Sequence, residues 1–273
     1  EAEAGYSSLM DCLAGDVLLS AAFLAYCGFF DQLYRALLLR TWRQLLAEHK
    51  LKARPDLALT EYLSTPSERV LWAASRLPAD ELCAQNAVII KHHARYPLVV
   101  DPSGQAGDFL LDFYRERKIE KSSFEDAAFL KTLEKCLRFG LPLLVEGVER
   151  VEPLLNSLLN REVLRQGGRA LVRVGDQEID FNANFVLFLL TRNADCRFTP
   201  DVCSRVTFVN FTVTQASLES QCVNLLLHHE RPEVELKRGD LLKLQGEYLV
   251  RVRELEDDLL RRISEQQGNI LDD

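Results

Sequence analysis

The spacing of apolar residues in the middle of the chain predicts alternating strands and helices. Short runs that are apolar at most positions, as buried strands of a parallel sheet are, begin at Tyr96, Leu141, Phe185 and Val206. A hairpin with a Gly-Asp turn is predicted over residues 170–181. Segments with helical spacing separate these strands. The pattern therefore predicts an α/β fold in which helices cover a mostly parallel sheet.

Local signals mark the two ends of one helix in this region. Ser122 and Glu125 have the spacing of a capping box, and Gly140 stands where a helix C-cap belongs. We therefore expect a helix between these signals. The apolar residues assigned to it are Phe124, Leu130, Leu133 and Leu137.

The first 50 residues have the apolar spacing of two helices separated at Gly28. Residues 51–87 show a weaker pattern interrupted by prolines, which predicts short helices and loops that cover one side of the sheet. The face predicted to be buried on the first helix consists of Leu9, Cys12, Leu13, Val17, Ser20, Ala21 and Leu24.

After Thr214 the strand pattern stops, and two helices are predicted, over residues 218–229 and 233–267. The second helix carries an apolar stripe with spacings of 3, 4, 4, 3, 4 and 4 residues, which needs a partner helix to cover it. Gly239 and Gly246 are expected to weaken this helix, and Gly268 and Asn269 to end it. We call these residues the α-stripe: Leu241, Leu244, Tyr248, Val252, Leu255, Leu259 and Ile263.

These patterns divide the chain into three parts. Residues 1–50 form an N-terminal helical segment, residues 51–213 a large α/β domain, and residues 214–273 a small α-helical domain that extends into a long helix of the coiled-coil type.

Composition excludes several classes of protein. The chain has 273 residues, 47% of them hydrophobic, which is typical of a folded globular protein, and its net charge of -8 argues against a nucleic-acid-binding surface. Seven scattered cysteines without a C-x-x-C pair indicate reduced thiols and a cytoplasmic location. The longest apolar run has 14 residues, so no membrane span is expected. Because the chain opens on Glu1 without an initiator Met, we expect it to be a piece of a longer protein.

The run that follows the first strand has the layout of a nucleotide-binding phosphate loop without its chemistry. A working loop needs glycines that turn backbone N–H groups toward the phosphates, and a lysine that reaches them. Here the lysine is missing, Asp101 brings a negative charge to the place of the phosphates, and Pro102 removes an N–H donor. The residues of this degenerate loop are Asp101, Pro102, Ser103, Gly104, Gln105 and Ala106.

Two further positions are candidates for phosphate chemistry. A working site would also need an acidic pair after the second strand, one carboxylate for magnesium and one for water. Glu146 alone stands near that place, with Glu149 a further turn away, and the simpler interpretation of both is solvated or helix-capping acids. Arg205 ends a short helix before the last strand and could stabilise charge on the phosphoryl group of an adjacent module; a surface or interface salt bridge is the simpler alternative.

Metal binding and nucleophilic catalysis are not supported by the sequence. The adjacent pairs His92-His93 and His228-His229 point in different directions, so neither pair can share one ion unaided. Ser103 lies outside a G-x-S-x-G motif and has no plausible histidine partner.

Seven segments distributed over nearly the whole chain match a known family. They are residues 15–19, 25–31, 96–106, 198–201, 204–214, 230–232 and 268–272. These segments resemble dynein heavy chains, in particular the fifth AAA+ module of the dynein motor ring, and more the cytoplasmic than the axonemal type.

The resemblance implies a fold and a role. It implies a degenerate AAA+ large domain with a lid domain, in a ring of six modules that drives movement along microtubules, with ATP or ADP and Mg bound by other modules and no cofactor bound by this one. By the same analogy residues 1–16 follow the stalk, the helix from Glu233 is the outgoing arm of the buttress, and Arg205 faces the ATP site of the fourth module. The fourth and sixth modules and the stalk would be its partners, in the cytoplasm and on the cytoskeleton.

Two other functions stay open from the sequence. An ATPase with an atypical phosphate loop is the alternative from the enzyme class. A free-standing helical adaptor that recruits a protein through the α-stripe is the alternative from the interaction class.

Overall fold

A five-stranded parallel sheet forms the centre of the fold in the computed structural model, which describes residues 2–78, 80–211 and 213–265. The spatial order of its strands is β2-β3-β7-β1-β8, and a separate antiparallel sheet has the order β4-β5-β6. The strands are β1 Pro97–Val100, β2 Glu120–Ser123, β3 Leu143–Glu146, β4 Val163–Gln166, β5 Arg169–Val174, β6 Gln177–Asp180, β7 Leu187–Thr191 and β8 Thr207–Asn210.

Helices precede, separate and follow these strands, as the alternating pattern predicted. Two short 3₁₀ turns, Cys27–Phe29 and Pro153–Leu155, complete the described elements. The helices are α1 Ala2–Tyr26, α2 Gln32–Glu48, α3 Leu59–Leu63, α4 Pro66–Ala74, α5 Glu81–Lys91, α6 Gln105–Phe113, α7 Phe129–Phe139, α8 Asn156–Leu159, α9 Pro200–Arg205, α10 Gln215–Glu230 and α11 Pro232–Glu265.

Two apolar clusters cover the two faces of the central sheet. In β1, Val99 belongs to one cluster, and Leu98 and Val100 belong to the other. Every residue of β7 is buried, which confirms the prediction of a central strand that is covered on both faces. Burial of each such Leu or Val stabilises the fold by about 1.5–3 kcal/mol.

The predicted capping box at Ser122 and Glu125 is wrong. Ser122 lies in β2, pairs in parallel with Val145 of β3 and is buried. Helix α7 begins later, at Phe129, and the side chain of its N-cap residue makes no capping hydrogen bond. Pairing with β3 supplies backbone hydrogen bonds along the whole segment, so it overrides a local capping signal. The end of the helix is as predicted, because Gly140 adopts the left-handed conformation of a C-cap.

The hairpin predicted over residues 170–181 is present as β5 and β6. Strand β4, which the sequence pattern did not reveal, extends it to three strands. The residues of β4 are half-buried or exposed, so the strand has no apolar run from which it could be predicted.

The buried face of α1 differs from the predicted one. Leu19, Phe23 and Cys27, at the end of α1 and in the following 3₁₀ turn, are buried, whereas Leu9 and Val17 of the predicted face are about half exposed. The helix is apolar on several sides, so periodicity alone did not determine which side packs on the sheet domain.

A buried arginine attaches the N-terminal helical segment to the rest of the fold. Arg35 of α2 is 1% exposed, and its guanidinium donates hydrogen bonds to the backbone oxygens of Gly28 and Phe30 and to the Oδ1 atom of Asn86. Asn86 in turn donates to the backbone oxygen of Asn210, at the end of β8, over 2.8 Å. A β-carbon on Gly28 would lie 2.0 Å from a β8 carbonyl oxygen, so only glycine permits this contact.

One segment of this N-terminal region has the composition of a membrane span. Leu9–Phe29 has a mean hydropathy of 1.7 and is long enough to cross a bilayer, although 39% of it is buried in the protein. The uninterrupted apolar run is shorter because Asp16 interrupts the segment. Asp16 is buried and pairs with Arg54, whose Nε lies 2.6 Å from its Oδ2, so α1 packs on the chain itself. The absence of a membrane span stays a prediction.

Helix α11 is uninterrupted over its described length, so the predicted weakening at Gly239 and Gly246 does not break it. Gly246 is buried against α4, and a β-carbon there would lie 3.1 Å from Leu71 Cδ2. This glycine therefore allows α11 to approach α4 closely. Thr212 of the predicted last strand, residues 266 and 267 of the predicted helix, and Gly268 and Asn269 lie outside the described residues.

The two leucines Leu130 and Leu133 of α7 provide a test of the core. Leu133 is fully buried and Leu130 is 56% exposed, although the sequence pattern placed both on the apolar side. We expect Leu133→Ala to lower the free energy of unfolding by about 2–5 kcal/mol, because it leaves a cavity in the core. The matched change Leu130→Ala should alter it by about 0.5 kcal/mol or less. Urea unfolding of the chain measures both, and equal losses would contradict this packing.

Candidate functional site

The degenerate phosphate loop lies between the end of β1 and the start of α6, as predicted. Helix α6 begins at Gln105, within the loop itself. Asp101 follows β1 directly, is fully buried, and donates its backbone N–H to the carbonyl oxygen of Thr191 over 2.8 Å. The loop is therefore anchored to β7, the neighbouring strand.

The carboxylate of Asp101 accepts the hydrogen-bond donors of its own loop. Its Oδ2 atom accepts the backbone N–H of Gly107 over 3.0 Å, and its Oδ1 atom accepts the Ser103 hydroxyl over 3.3 Å. The backbone N–H groups of Gly104 and Ala106 also hydrogen-bond to this carboxylate. These are the kind of donors that a phosphate loop turns toward its ligand. The side chain of the loop thus takes the place of an external anion.

Burial and hydrogen bonding act on this carboxyl in opposite directions. Burial raises the pKa of Asp101 above its usual value, and the four hydrogen bonds to the carboxylate only partly offset that increase.

Of the two acidic positions, Glu146 is in an ion pair and Glu149 lies at the surface. Glu146, the last residue of β3, has its Oε2 atom 2.8 Å from Nζ of Lys121 in β2. Glu149 is exposed, and its backbone oxygen accepts the Cys196 thiol. Strand β7 lies between β1 and β3, so about 10 Å separates the ends of β3 and β1. Glu146 and Asp101 therefore lie at the same edge of the sheet with one strand between them.

Arg205 lies at the opposite edge of the sheet from the Asp101 loop. It precedes β8, whereas Asp101 follows the parallel strand β1, and these four-residue strands span about 13 Å. Its Nη2 atom is 2.6 Å from Oδ1 of Asp201, one turn earlier on α9. Its Nη1 atom is buried and has no hydrogen-bond partner within the described residues. Arg205 therefore cannot serve the loop of its own chain.

The α-stripe of α11 is exposed along its whole length. The exposed fractions of its seven side chains range from 41% at Ile263 to 65% at Leu241. The contact between α11 and α4 at Gly246 lies on another side of the helix. No described part of this chain covers the stripe.

Two arginines near Arg205 were missed by the sequence analysis. Arg95 and Arg161 line the same cleft as Arg205. A signal for Arg95 was available, because it directly precedes a parallel strand just as Arg205 does. Arg161 follows α8 and carried no such signal.

Comparison with known proteins agrees with this architecture. The model of the family described as the ATP-binding dynein motor region matches residues 70–273. This chain belongs to that family. It is 55% identical over 268 residues, or 98% of its length, to a cytoplasmic dynein heavy chain of Drosophila melanogaster. It is 53% identical over 268 residues, again 98% of its length, to a cytoplasmic dynein heavy chain of Dictyostelium discoideum.

An axonemal relative is less similar to this dynein segment. Identity with the dynein gamma chain of the flagellar outer arm of Chlamydomonas reinhardtii is 38% over 263 residues, or 96% of the chain. The predicted likeness to the cytoplasmic type is thereby confirmed. The segment spans 6% of the length of each of these three relatives.

Asp101 makes the stability of this segment depend on pH. Because the folded-state pKa of Asp101 is raised, the folded chain binds this proton more tightly than the unfolded chain does. Its contribution to stability is therefore fully present below the usual Asp pKa and is lost as the pH rises through the raised one. We expect the free energy of unfolding, relative to that of Asp101→Asn, to fall as the pH rises from about 4 through the raised pKa of Asp101. Urea unfolding at each pH measures this difference, and a rise over that range would contradict it.

Proposed function

We propose that this segment is a non-catalytic AAA+ module of a dynein heavy chain, the fifth of the motor ring. In this role it is a structural and relay element of an ATP-driven, minus-end-directed microtubule motor. One observation carries the proposal: the Asp101 carboxylate holds the N–H groups that a phosphate loop offers to a nucleotide.

The rest of the loop supports the same conclusion. Pro102 has no N–H, and the loop contains no lysine to reach an outer phosphate. Glu146 is paired with Lys121 across β2 and β3, and Glu149 is exposed. A nucleotide would have to displace a buried side chain that already satisfies the donors, and it would then find neither the cation nor the acids that hydrolysis needs.

We propose that Arg205 acts on the nucleotide of the fourth module. It lies at the edge of the sheet remote from its own loop, and Asp201 holds one of its two terminal nitrogens. A guanidinium placed at such an edge is available to a neighbouring module, where it would stabilise charge on a transferring phosphoryl group. Bound ATP or ADP and Mg would then belong to other modules of the ring.

We further propose that α11 is the outgoing arm of the buttress, as part of a lid domain, and that residues 1–16 follow the stalk. The exposed α-stripe supports this role, because seven apolar residues along one helix need an apolar partner. Residues of α11 also pack on α4, so a movement of α11 would be transmitted to the large domain. The partners are then the fourth and sixth modules, the stalk and, through the whole motor, the microtubule, in the cytoplasm and on the cytoskeleton.

The exposed α-stripe also favours a second function, that of a helical adaptor. The two functions differ in what covers the stripe. An experimental map of the assembled heavy chain that shows a helix of the same chain there supports the buttress, and a foreign protein there supports the adaptor.

Titration with a fluorescent ATP analogue tests the absence of a nucleotide site. We expect no saturable binding to this chain at micromolar concentrations, once circular dichroism has shown that the chain is folded. The whole heavy chain serves as the positive control. Micromolar affinity of the isolated segment would instead support an ATPase with an atypical loop.

Replacement of Arg205 tests the action on a neighbouring module. In the whole motor, Arg205→Ala should slow hydrolysis at the fourth module by about tenfold or more, since an arginine at a transferring phosphoryl group contributes at least that much. Single-turnover kinetics at that site measure the effect. Unchanged turnover at the fourth module would contradict this role, and Arg205 would then serve only in the ion pair with Asp201.

A further inference from the structure

A cleft of about 400 Å³ lies at the amino-terminal edge of the central sheet. It opens beside the residues that precede β1 and β8, on the side remote from the Asp101 loop. The charged residues that line it are Arg95, Arg161, Asp201 and Arg205. Three cations and one anion give this cleft a positive charge, although the chain as a whole is acidic.

Arg205 has unused hydrogen-bonding capacity in this cleft. Its Nη2 atom contacts Asp201, but its buried Nη1 atom has no acceptor in the described part of the chain. A buried donor without an acceptor costs free energy until one arrives. The ion pair therefore orients the guanidinium, and the buried Nη1 atom is left with an unfilled hydrogen bond beside the cleft.

The side chain of Arg161 is also held in place. Its guanidinium carbon lies 4.9 Å from the centre of the Tyr96 ring, a cation–π contact. Burial lowers the pKa of the nearby His93, and the positive charge of Arg161 adds to that effect. No carboxylate is paired with Arg161 among the described residues, so its charge is available in the cleft.

We propose that this cleft binds a phosphate-bearing anion, with Arg161 as a second phosphate-contacting residue beside Arg205 and with Arg95 at the rim. Two guanidinium groups match the several oxygens of a phosphate better than a single carboxylate, because each can form paired N–H···O bonds. The proposal deepens the proposed function of Arg205 and rests on it. The phosphate is either that of a nucleotide presented by the adjacent module or that of a free polyphosphate.

The backbone at Arg161 offers a variant that keeps the fold. Arg161 has φ of +54°, the left-handed conformation that glycine adopts without strain, so Arg161→Gly removes the guanidinium without a conformational penalty. Arg76 has φ of +66° and lines no part of this cleft. Arg76→Gly is therefore a control with the same residue change and the same backbone geometry.

The test uses the whole heavy chain and an ATP analogue with a photoreactive group on its γ-phosphate. Peptide mapping by mass spectrometry should find label in the segments that contain Arg161 and Arg205. We expect Arg161→Gly to lower labelling of the Arg205 segment by about tenfold, as loss of one charge-assisted contact predicts, and Arg76→Gly to leave it unchanged.

The outcomes separate this inference from the proposed function. If Arg205→Ala slows the fourth module while Arg161→Gly changes neither turnover nor labelling, Arg161 does not contact phosphate and the inference fails alone. If neither Arg205→Ala nor Arg161→Gly has an effect, the proposed function of Arg205 and this inference both fail. Competition with inorganic tripolyphosphate identifies the source of the phosphate. At a tripolyphosphate concentration that leaves a nucleotide site photolabelled, a site for free polyphosphate loses its photolabel.

Discussion

The direction of the strands in the central sheet is the constraint on which both candidate sites depend. All five strands run the same way, so their carboxyl ends meet at one edge and their amino ends at the other. Asp101 and Glu146 consequently lie at the first edge, and Arg95 and Arg205 at the second. Two apolar clusters bury the faces of the sheet and hold this arrangement. The same constraint separates Arg205 from the Asp101 loop.

At the carboxyl edge, the loop keeps the backbone geometry of a phosphate site and supplies its own anion. Buried N–H groups that find no acceptor cost about 1–3 kcal/mol each. A nucleotide site meets that cost by binding phosphate, whereas this loop meets it with the Asp101 carboxylate. The loop therefore satisfies these donors without a ligand.

At the other edge, strand β8 connects two regions that are distant in the sequence. Its amino end follows Arg205 and the arginine cleft, and its carboxyl end is bound by Asn86, which Arg35 also holds. The N-terminal helical segment is thus fixed to the strand that begins at the cleft. Burial lowers the pKa of Arg35 to about 10, and the N–H groups of its guanidinium are satisfied by neutral oxygen acceptors.

Local pattern alone was enough for the strands that are apolar on both faces, for the Gly140 C-cap and for the break between α10 and α11. Each of these features is determined by residues that are close together in the sequence. The Asp101 turn and the family resemblance could be identified from the sequence for the same reason. Pairing between distant segments decided the rest. Ser122 joined a strand because β3 lies beside it, α1 buried the side that met the domain, and Gly246 proved to be a contact with α4. Arg161 and Arg205 share a cleft because the fold brings the residues after α8 close to α9, a proximity that no spacing in the chain encodes.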